Sequence, residues 1–288
     1  MRLDRQLTTS VFHPLQRAGF GAARSRLPIL MYHSLSAEPE EGVAPYYKTS
    51  TDPVIFRQQM NFLASRGYKT AALPQVVDWL RTGRPIPENS VVITFDDGFR
   101  SVLKDAFPAM QQHGFTATLF LATAFVGEQN RSFKGRECLS WPEVREMRKA
   151  GMAFGSHTVN HPELVNLSAG QIERELRDSR AEIEQRLGEP ATAFSYPYAF
   201  PQGNRPFAKT LRDLLIQAGY TCCVTTEVGR VKAGDAPYRL KRLPANSCDD
   251  PQLFRAKLEG GYDWLGFPQR AFKLLKRSAG AASPASSR

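Results

Sequence analysis

Short apolar runs alternate along this chain with longer stretches in which apolar residues recur every three or four positions. Runs of that length fit buried strands, whereas a 3.6-residue recurrence marks helices with one buried face. The strand candidates are 28–32, 91–95, 116–121, 152–155, 193–196, 220–224 and 240–243. A helix is predicted from Asp52-Pro53, where an aspartate cap precedes a first-turn proline; it carries Phe56, Met60 and Leu63 on one face and closes at Gly67. Another runs through Leu103, Phe107 and Met110, and a third spans about 207–218. Ser140-Trp141-Pro142-Glu143 and Ser168-Ala169-Gly170-Gln171 are capping boxes, opening helices that reach about Ala150 and Leu187. The second of these carries Glu173/Arg177 and Glu182/Arg186 pairs, read as a solvated face. Strands alternating with helices in this way predict a parallel sheet wrapped by helices.

Polar residues gather at the C-terminal ends of these strands. His33 follows the first, Asp96-Asp97-Gly98 the second, His157 and His161 the fourth, and Pro197-Tyr198 the fifth. Ligands of parallel α/β folds bind beyond those ends, so the convergence says more than any motif alone. Two imidazoles and one carboxylate suit a borderline divalent ion such as zinc, and three protein ligands leave positions open for water and substrate. The second carboxylate is then free to act as a base. Taken singly, Asp-Asp-Gly also reads as a turn. A His-x3-His pair also arises on an ordinary polar helix surface.

Four segments, Leu30-Met31-Tyr32-His33-Ser34, Thr94-Phe95-Asp96-Asp97-Gly98-Phe99, Ser156-His157-Thr158-Val159-Asn160-His161 and Tyr196-Pro197-Tyr198, occur in the order found in polysaccharide deacetylases. From about Pro28 to Leu243 the chain resembles that family, also called the NodB-homology or carbohydrate esterase family 4 domain, and specifically the subgroup with an N-terminal Tyr-His motif, as in poly-N-acetylglucosamine deacetylases.

The resemblance implies an α/β fold, a distorted (β/α)7-type barrel, and metal-dependent removal of N-acetyl groups from N-acetylhexosamine units of a polysaccharide or glycan precursor. It makes Asp96 the base, and Asp97, His157 and His161 the metal ligands. His33 becomes the acid that protonates the leaving amine, and the backbone N–H of Tyr198 an oxyanion donor. The implied cofactor is a divalent metal, Zn2+ first, with Co2+, Ni2+ or Mn2+ as alternatives. Ser34 and Tyr32 are expected to orient or pack. Two features depart from the family pattern. Ser195 stands where many members carry the arginine of Arg-x-Pro-Tyr, and Ala199 stands where glycine is common. Arg242, at the end of the last strand, is the candidate replacement for that arginine, orienting Asp96 through a charge-assisted hydrogen bond. Hydrolysis of a non-glycan amide or imide, or an inactive carbohydrate-binding barrel, are the alternative functions.

Composition narrows the surroundings. With 288 residues, 42% hydrophobic and 23% charged, the chain supports one catalytic domain, placed at 27–265 between a basic extension (1–26) and a basic, then small-residue, flexible tail (266–288). Both ends are expected outside the core. No stretch reaches the roughly 20 apolar residues of a membrane-spanning helix, and the opening segment, with Arg2, Arg5, Arg17, Arg24 and Arg26, lacks a signal-peptide core. A cytoplasmic location is the expectation. Cys138, Cys222, Cys223 and Cys248 lack metal-site spacing and read as reduced thiols, Cys222 and Cys223 pointing to opposite faces of a strand. The net charge of +10 comes with no nucleic-acid module, so no nucleic-acid partner is expected; an acetylated glycan or other sugar-containing substrate is the partner that the resemblance implies. Phe272-Lys273-Leu274-Leu275-Lys276-Arg277 is a candidate for weak contact with an anionic membrane surface. His13 and His113 lack motif context and are expected on polar surfaces, and the oligomeric state is not specified.

Overall fold

In a computed structural model, which describes residues 2–19, 26–266 and 269, seven parallel strands close into a barrel. They are β1 (Ile29–Tyr32), β2 (Ser90–Phe95), β3 (Thr118–Leu121), β4 (Ala153–Ser156), β5 (Ala193–Ser195), β6 (Cys222–Val228) and β7 (Leu240–Pro244). Each pairs with its neighbours in chain order, and the ring closes where Leu30 of β1 lies between Leu243 of β7 and Ile93 of β2. A short strand, Lys69–Thr70, adds to β2 outside the ring. The architecture is therefore the (β/α)7 barrel expected. Its distortion shows between β6 and β7, where the described connection holds a 3-10 turn, Pro237–Arg239, and no α-helix.

Six of the predicted strands appear with ends shifted by a residue or two; β6 instead runs on through Thr225-Thr226-Glu227-Val228. Three of the four added residues are polar and three are β-branched, so they fit a strand while failing an apolar-run criterion. The predicted caps form: Asp52 accepts from the Val54 N–H, Glu143 Oε2 accepts from the Ser140 N–H (2.9 Å) and Gln171 Oε1 from the Ser168 N–H (2.9 Å). Glu182 pairs with Arg186 as expected (2.8 Å), but Arg177 turns to its neighbour Asp178 (3.0 Å) rather than to Glu173. An adjacent carboxylate needs less ordering of two long exposed side chains, and such pairs are worth little either way.

Alternation along the strands separates three apolar clusters. Ile29, Val92, Phe120, Val224 and Leu240 point into the barrel and pack with Leu73 and Val76, so the helix Leu73–Thr82 seals the N-terminal end. Gly155 makes room there, since a Cβ would fall 2.8 Å from the Phe120 ring. Leu30, Ile93, Phe95 and Leu121 face outward beneath the helices Pro53–Ser65 and Trp141–Lys149, and Phe194 and Cys223 beneath Ala169–Leu187 and Arg205–Gln217. Cys222 belongs to the inner cluster and Cys223 to an outer one, on opposite faces, and all four cysteines are free thiols.

The opening residues differ from expectation. Residues 3–17 form a nearly continuous helix, Leu3–Leu7, Thr8–Phe12 and His13–Arg17, docked beside the helix Pro251–Glu259. Phe12 stacks on Trp264 (4.8 Å between ring centroids), Trp264 Nε1 donates to the buried Thr8 (3.0 Å), and His13 Nε2 lies 2.7 Å from Glu259. Docking made chiefly of polar contacts leaves no apolar periodicity to read. His113 makes a polar contact with Asn61 (2.8 Å). Among the described residues no helix is long and apolar enough to cross a membrane. The basic segment 272–277 and the small-residue tail lie outside the described residues.

Candidate active site

The C-terminal ends of the strands hold a buried polar layer above the apolar plug. Thr94 and Asp96 come from the end of β2, Ser195 from β5, Thr225 from β6 and Arg242 from β7, and all five residues are buried. Arg242 organises them. Its Nε–H donates to the Thr225 carbonyl (3.0 Å), Nη1 to Thr94 Oγ1 (3.2 Å) and Asp96 Oδ1 (2.8 Å), and Nη2 to Asp96 Oδ2 (2.7 Å) and Ser195 Oγ (3.1 Å). All five guanidinium donors are thereby used, two of them in a bidentate grip on one carboxylate. Ser195 Oγ also donates to Asp96 Oδ1 (3.0 Å). The serine that stands in the usual arginine position thus leaves room for a guanidinium arriving from the last strand. Burial by itself would raise the Asp96 pKa; the charge of Arg242, helped by His157, outweighs it and brings the group down to about 2.

Asp97 points the other way. Its Oδ1 lies 3.4 Å from His157 Nε2 and 3.2 Å from His161 Nε2, and one ligand atom from each of the three buried residues falls within 4.8 Å of the others. Burial pushes the Asp97 carboxyl up, but the two imidazoles hold it well below the usual carboxylate range; burial likewise draws His161 below its ordinary value, against the pull of Asp97. His157 Nδ1 lies 2.7 Å from the Ser195 carbonyl, which can only accept, so that nitrogen carries the proton. On a neutral imidazole the lone pair of Nε2 then faces a carboxylate oxygen, and Asp97 Oδ1 has no hydrogen-bond partner. Acceptor facing acceptor in a buried site calls for a cation between them. The donor set of two imidazoles and one carboxylate, with one imidazole oriented by a backbone carbonyl, fits a zinc-like ion.

Backbone strain concentrates at this site. Six non-glycine residues among those described have positive φ, and five of them lie at the triad: its members Asp97 (71°) and His161 (54°), and their neighbours Lys134 (51°), Thr158 (72°) and Tyr198 (58°). A β-branched threonine in this region is a true outlier, and such residues cost about 1–3 kcal/mol each. Neighbours hold them in place. Glu175, from the helix read as a solvated face, accepts from the N–H groups of Val159 (2.8 Å) and Asn160 (3.0 Å) and from Asn160 Nδ2 (2.7 Å). Thr158 Oγ1 accepts from the His161 N–H (2.9 Å), and the Thr158 N–H donates to Ser156 Oγ (3.1 Å). At the acid pair, Gly98 (φ 69°) follows Asp97 in a second left-handed step, and a Cβ there would come within 2.9 Å of Leu121.

The remaining predicted residues also reach this end. His33 Nε2 stands 4.0 Å from Asp96 Oδ2, and burial lowers its pKa against the opposing pull of Asp96 and Asp97. Tyr198 packs its ring edge-on to His161 (4.6 Å), and its N–H makes no hydrogen bond within the described residues. Tyr32 is buried and donates to Gln59 (2.7 Å), while Ser34 receives Arg136 from the hairpin Ser132–Phe133/Arg136–Glu137. Sequence reasoning missed Glu175, Lys134 and the bridging of Ser195. A lone glutamate on a charged helix and a lysine in a short hairpin carry no spacing signal, although the serine in the arginine's position invited the question of what it makes room for.

Residues 83–223 match the family described as polysaccharide deacetylase. The protein YxkH of Bacillus subtilis (strain 168), which carries the name of a polysaccharide deacetylase, is 29% identical over 235 residues, 82% of this chain and 77% of that one. The poly-beta-1,6-N-acetyl-D-glucosamine N-deacetylase of Staphylococcus aureus (strain MSSA476) is 28% identical over 152 residues, covering 50% of this chain and 51% of its own, so the match spans about half the length of that relative. Among solved structures, the Streptococcus pyogenes deacetylase PplD in complex with acetate superposes with a TM-score of 0.70 at 25% identity, covering 81% of this chain and 98% of that one. IcaB from Ammonifex degensii shares the fold, with a TM-score of 0.68 at 24% identity, covering 82% and 98% respectively.

Proposed function

Because this chain belongs to the polysaccharide deacetylase family, we propose that it hydrolyses the N-acetyl amide of N-acetylhexosamine units in a glycan, releasing acetate and a free amine. The observation that carries the reading is a buried, ionised Asp96, gripped by Arg242 and Ser195, beside the Asp97/His157/His161 triad at the open end of the barrel. The S. aureus relative named for poly-N-acetylglucosamine supports a glycan substrate.

Asp97, His157 and His161 are the residues that would hold a divalent ion, and their donor set favours zinc. When bound, the ion supplies a Lewis-acid centre that polarises the amide carbonyl and lowers the pKa of water. Asp96 receives the proton of the attacking water on its carboxylate. Arg242 ensures that this carboxylate is ionised at neutral pH, at the cost of intrinsic basicity, because a group with a pKa near 2 is a weak base. The Tyr198 N–H, held in place by a left-handed backbone, donates to the oxyanion as charge develops on the former carbonyl oxygen. His33 gives a proton to the departing nitrogen. Burial keeps the resting imidazole neutral, so that proton arrives during turnover, and Asp96 Oδ2 at 4.0 Å is placed to relay it.

The test is acetate release from acetylated poly-N-acetylglucosamine oligomers by zinc-reconstituted protein. Activity is expected to disappear with a chelator and return with metal. Asp96→Asn should bind the ion at full stoichiometry yet lose at least 100-fold in turnover, as removal of a general base does. Turnover that survives in Asp96→Asn would remove that residue from the role of base.

A further inference from the structure

The ion site has a charged neighbour that the proposed reaction does not use. Lys134 occupies the tip of the hairpin Ser132–Phe133/Arg136–Glu137, in a left-handed conformation that turns its side chain toward the metal triad. Its ammonium lies 3.9 Å from Asp97 Oδ2, and among the described residues no other carboxylate is within ion-pair distance of it. The same ammonium sits 4.6 Å from the centroid of the Phe133 ring and 5.2 Å from that of Tyr198. The two oxygens of Asp97 are therefore divided. Oδ1 faces the imidazoles, and Oδ2 faces a lysine.

We infer that Lys134 is a built-in competitor for the metal, and that its charge sets how tightly this site holds a divalent ion. The inference rests on reading Asp97, His157 and His161 as the ligand set. With neutral imidazoles, Asp97 supplies the only formal negative charge of the triad, and Lys134 already offsets it. An incoming divalent ion must draw on the same carboxylate with a like charge a few ångströms away. The lysine side chain is half exposed, so it has room to withdraw, and the Phe133 and Tyr198 faces offer a cation a resting place while it does. The arrangement weakens ion binding without touching any ligand. It also limits Asp97 to one-oxygen ligation as long as the ammonium stays on Oδ2.

The decisive measurement is the equilibrium affinity of metal-free protein for Zn2+ and Co2+, read by competition with a chromophoric chelator, for wild type, Lys134→Met and Lys134→Arg. Methionine keeps the length and apolar stem but removes the charge, so both ions should bind about tenfold more tightly. Arginine keeps the charge and should stay within about threefold of wild type. Thermal melting of each metal-free variant checks that the fold is retained. Unchanged or weaker binding by Lys134→Met, with wild type still taking up one equivalent, would overturn the inference while leaving the metal centre standing. Failure of the wild type to bind either ion would overturn the metal centre and the inference with it.

Discussion

Replacing Arg242 by leucine isolates the buried pair at the heart of the site. The substitution removes five hydrogen bonds and strands Asp96, which is 2% exposed, without its counter-charge. Breaking one side of a buried ion pair costs about 3–5 kcal/mol. A second route gives a similar figure: lowering the Asp96 carboxyl from its ordinary 3.8 to about 2 corresponds to about 2–3 kcal/mol of stability at neutral pH. Because the folded-state pKa is the depressed one, this contribution is complete above roughly pH 4 and is lost as pH falls toward 2. Without Arg242, burial dominates and raises the carboxyl above its ordinary value, so the variant folds best with the proton on. Urea unfolding should show a deficit of about 3 kcal/mol at pH 7, shrinking at pH 4; by thermal melting the pH 7 deficit is roughly 6–12 °C. Adding Asp96→Asn to Arg242→Leu removes the stranded charge and should recover part of the loss. Arg242→Leu melting within about 2 °C of wild type at pH 7, or a double variant no more stable than the single one, would refute the reasoning.

Two further substitutions probe how the candidate metal ligands are held. Glu175→Ala removes the acceptor of the Val159 and Asn160 N–H groups and should weaken zinc affinity about tenfold, as loss of a ligand's support does; an unchanged zinc titration would show that the His157–His161 loop holds itself. Gly98→Ala meets both a left-handed backbone and the Leu121 side chain, so urea unfolding should show a loss of about 1–3 kcal/mol, and wild-type stability would mean that the turn after Asp97 relaxes freely.

What the sequence disclosed follows from how each feature is encoded. Strands and capped helices announce themselves through local periodicity, and Asp96, Asp97, His157 and His161 through spacing within a few residues of strand ends. The extension of β6 through Thr225 and Glu227 was hidden because its fit to the sheet rests on β-branched shape rather than apolarity. The N-terminal helix was hidden because Asp4, Thr8 and His13 dock it by hydrogen bonds to Tyr262, Trp264 and Glu259, whose positions depend on the finished fold. Glu175 and Lys134 act through three-dimensional proximity alone. Arg242 lay between these cases: a missing arginine at Ser195 implied a substitute, but only barrel closure shows that the two side chains meet, 3.1 Å apart.

The Asp96–Arg242 contact joins residues 146 positions apart, from β2 and from the last strand of the ring. During synthesis the carboxylate emerges long before the guanidinium that neutralises it. Until β7 has been made and has docked between β6 and β1, Asp96 has no buried partner and is better left in water. Closure of the ring and neutralisation of the buried Asp96 charge are therefore one event, so a nascent or truncated chain that stops short of β7 cannot bury a finished site.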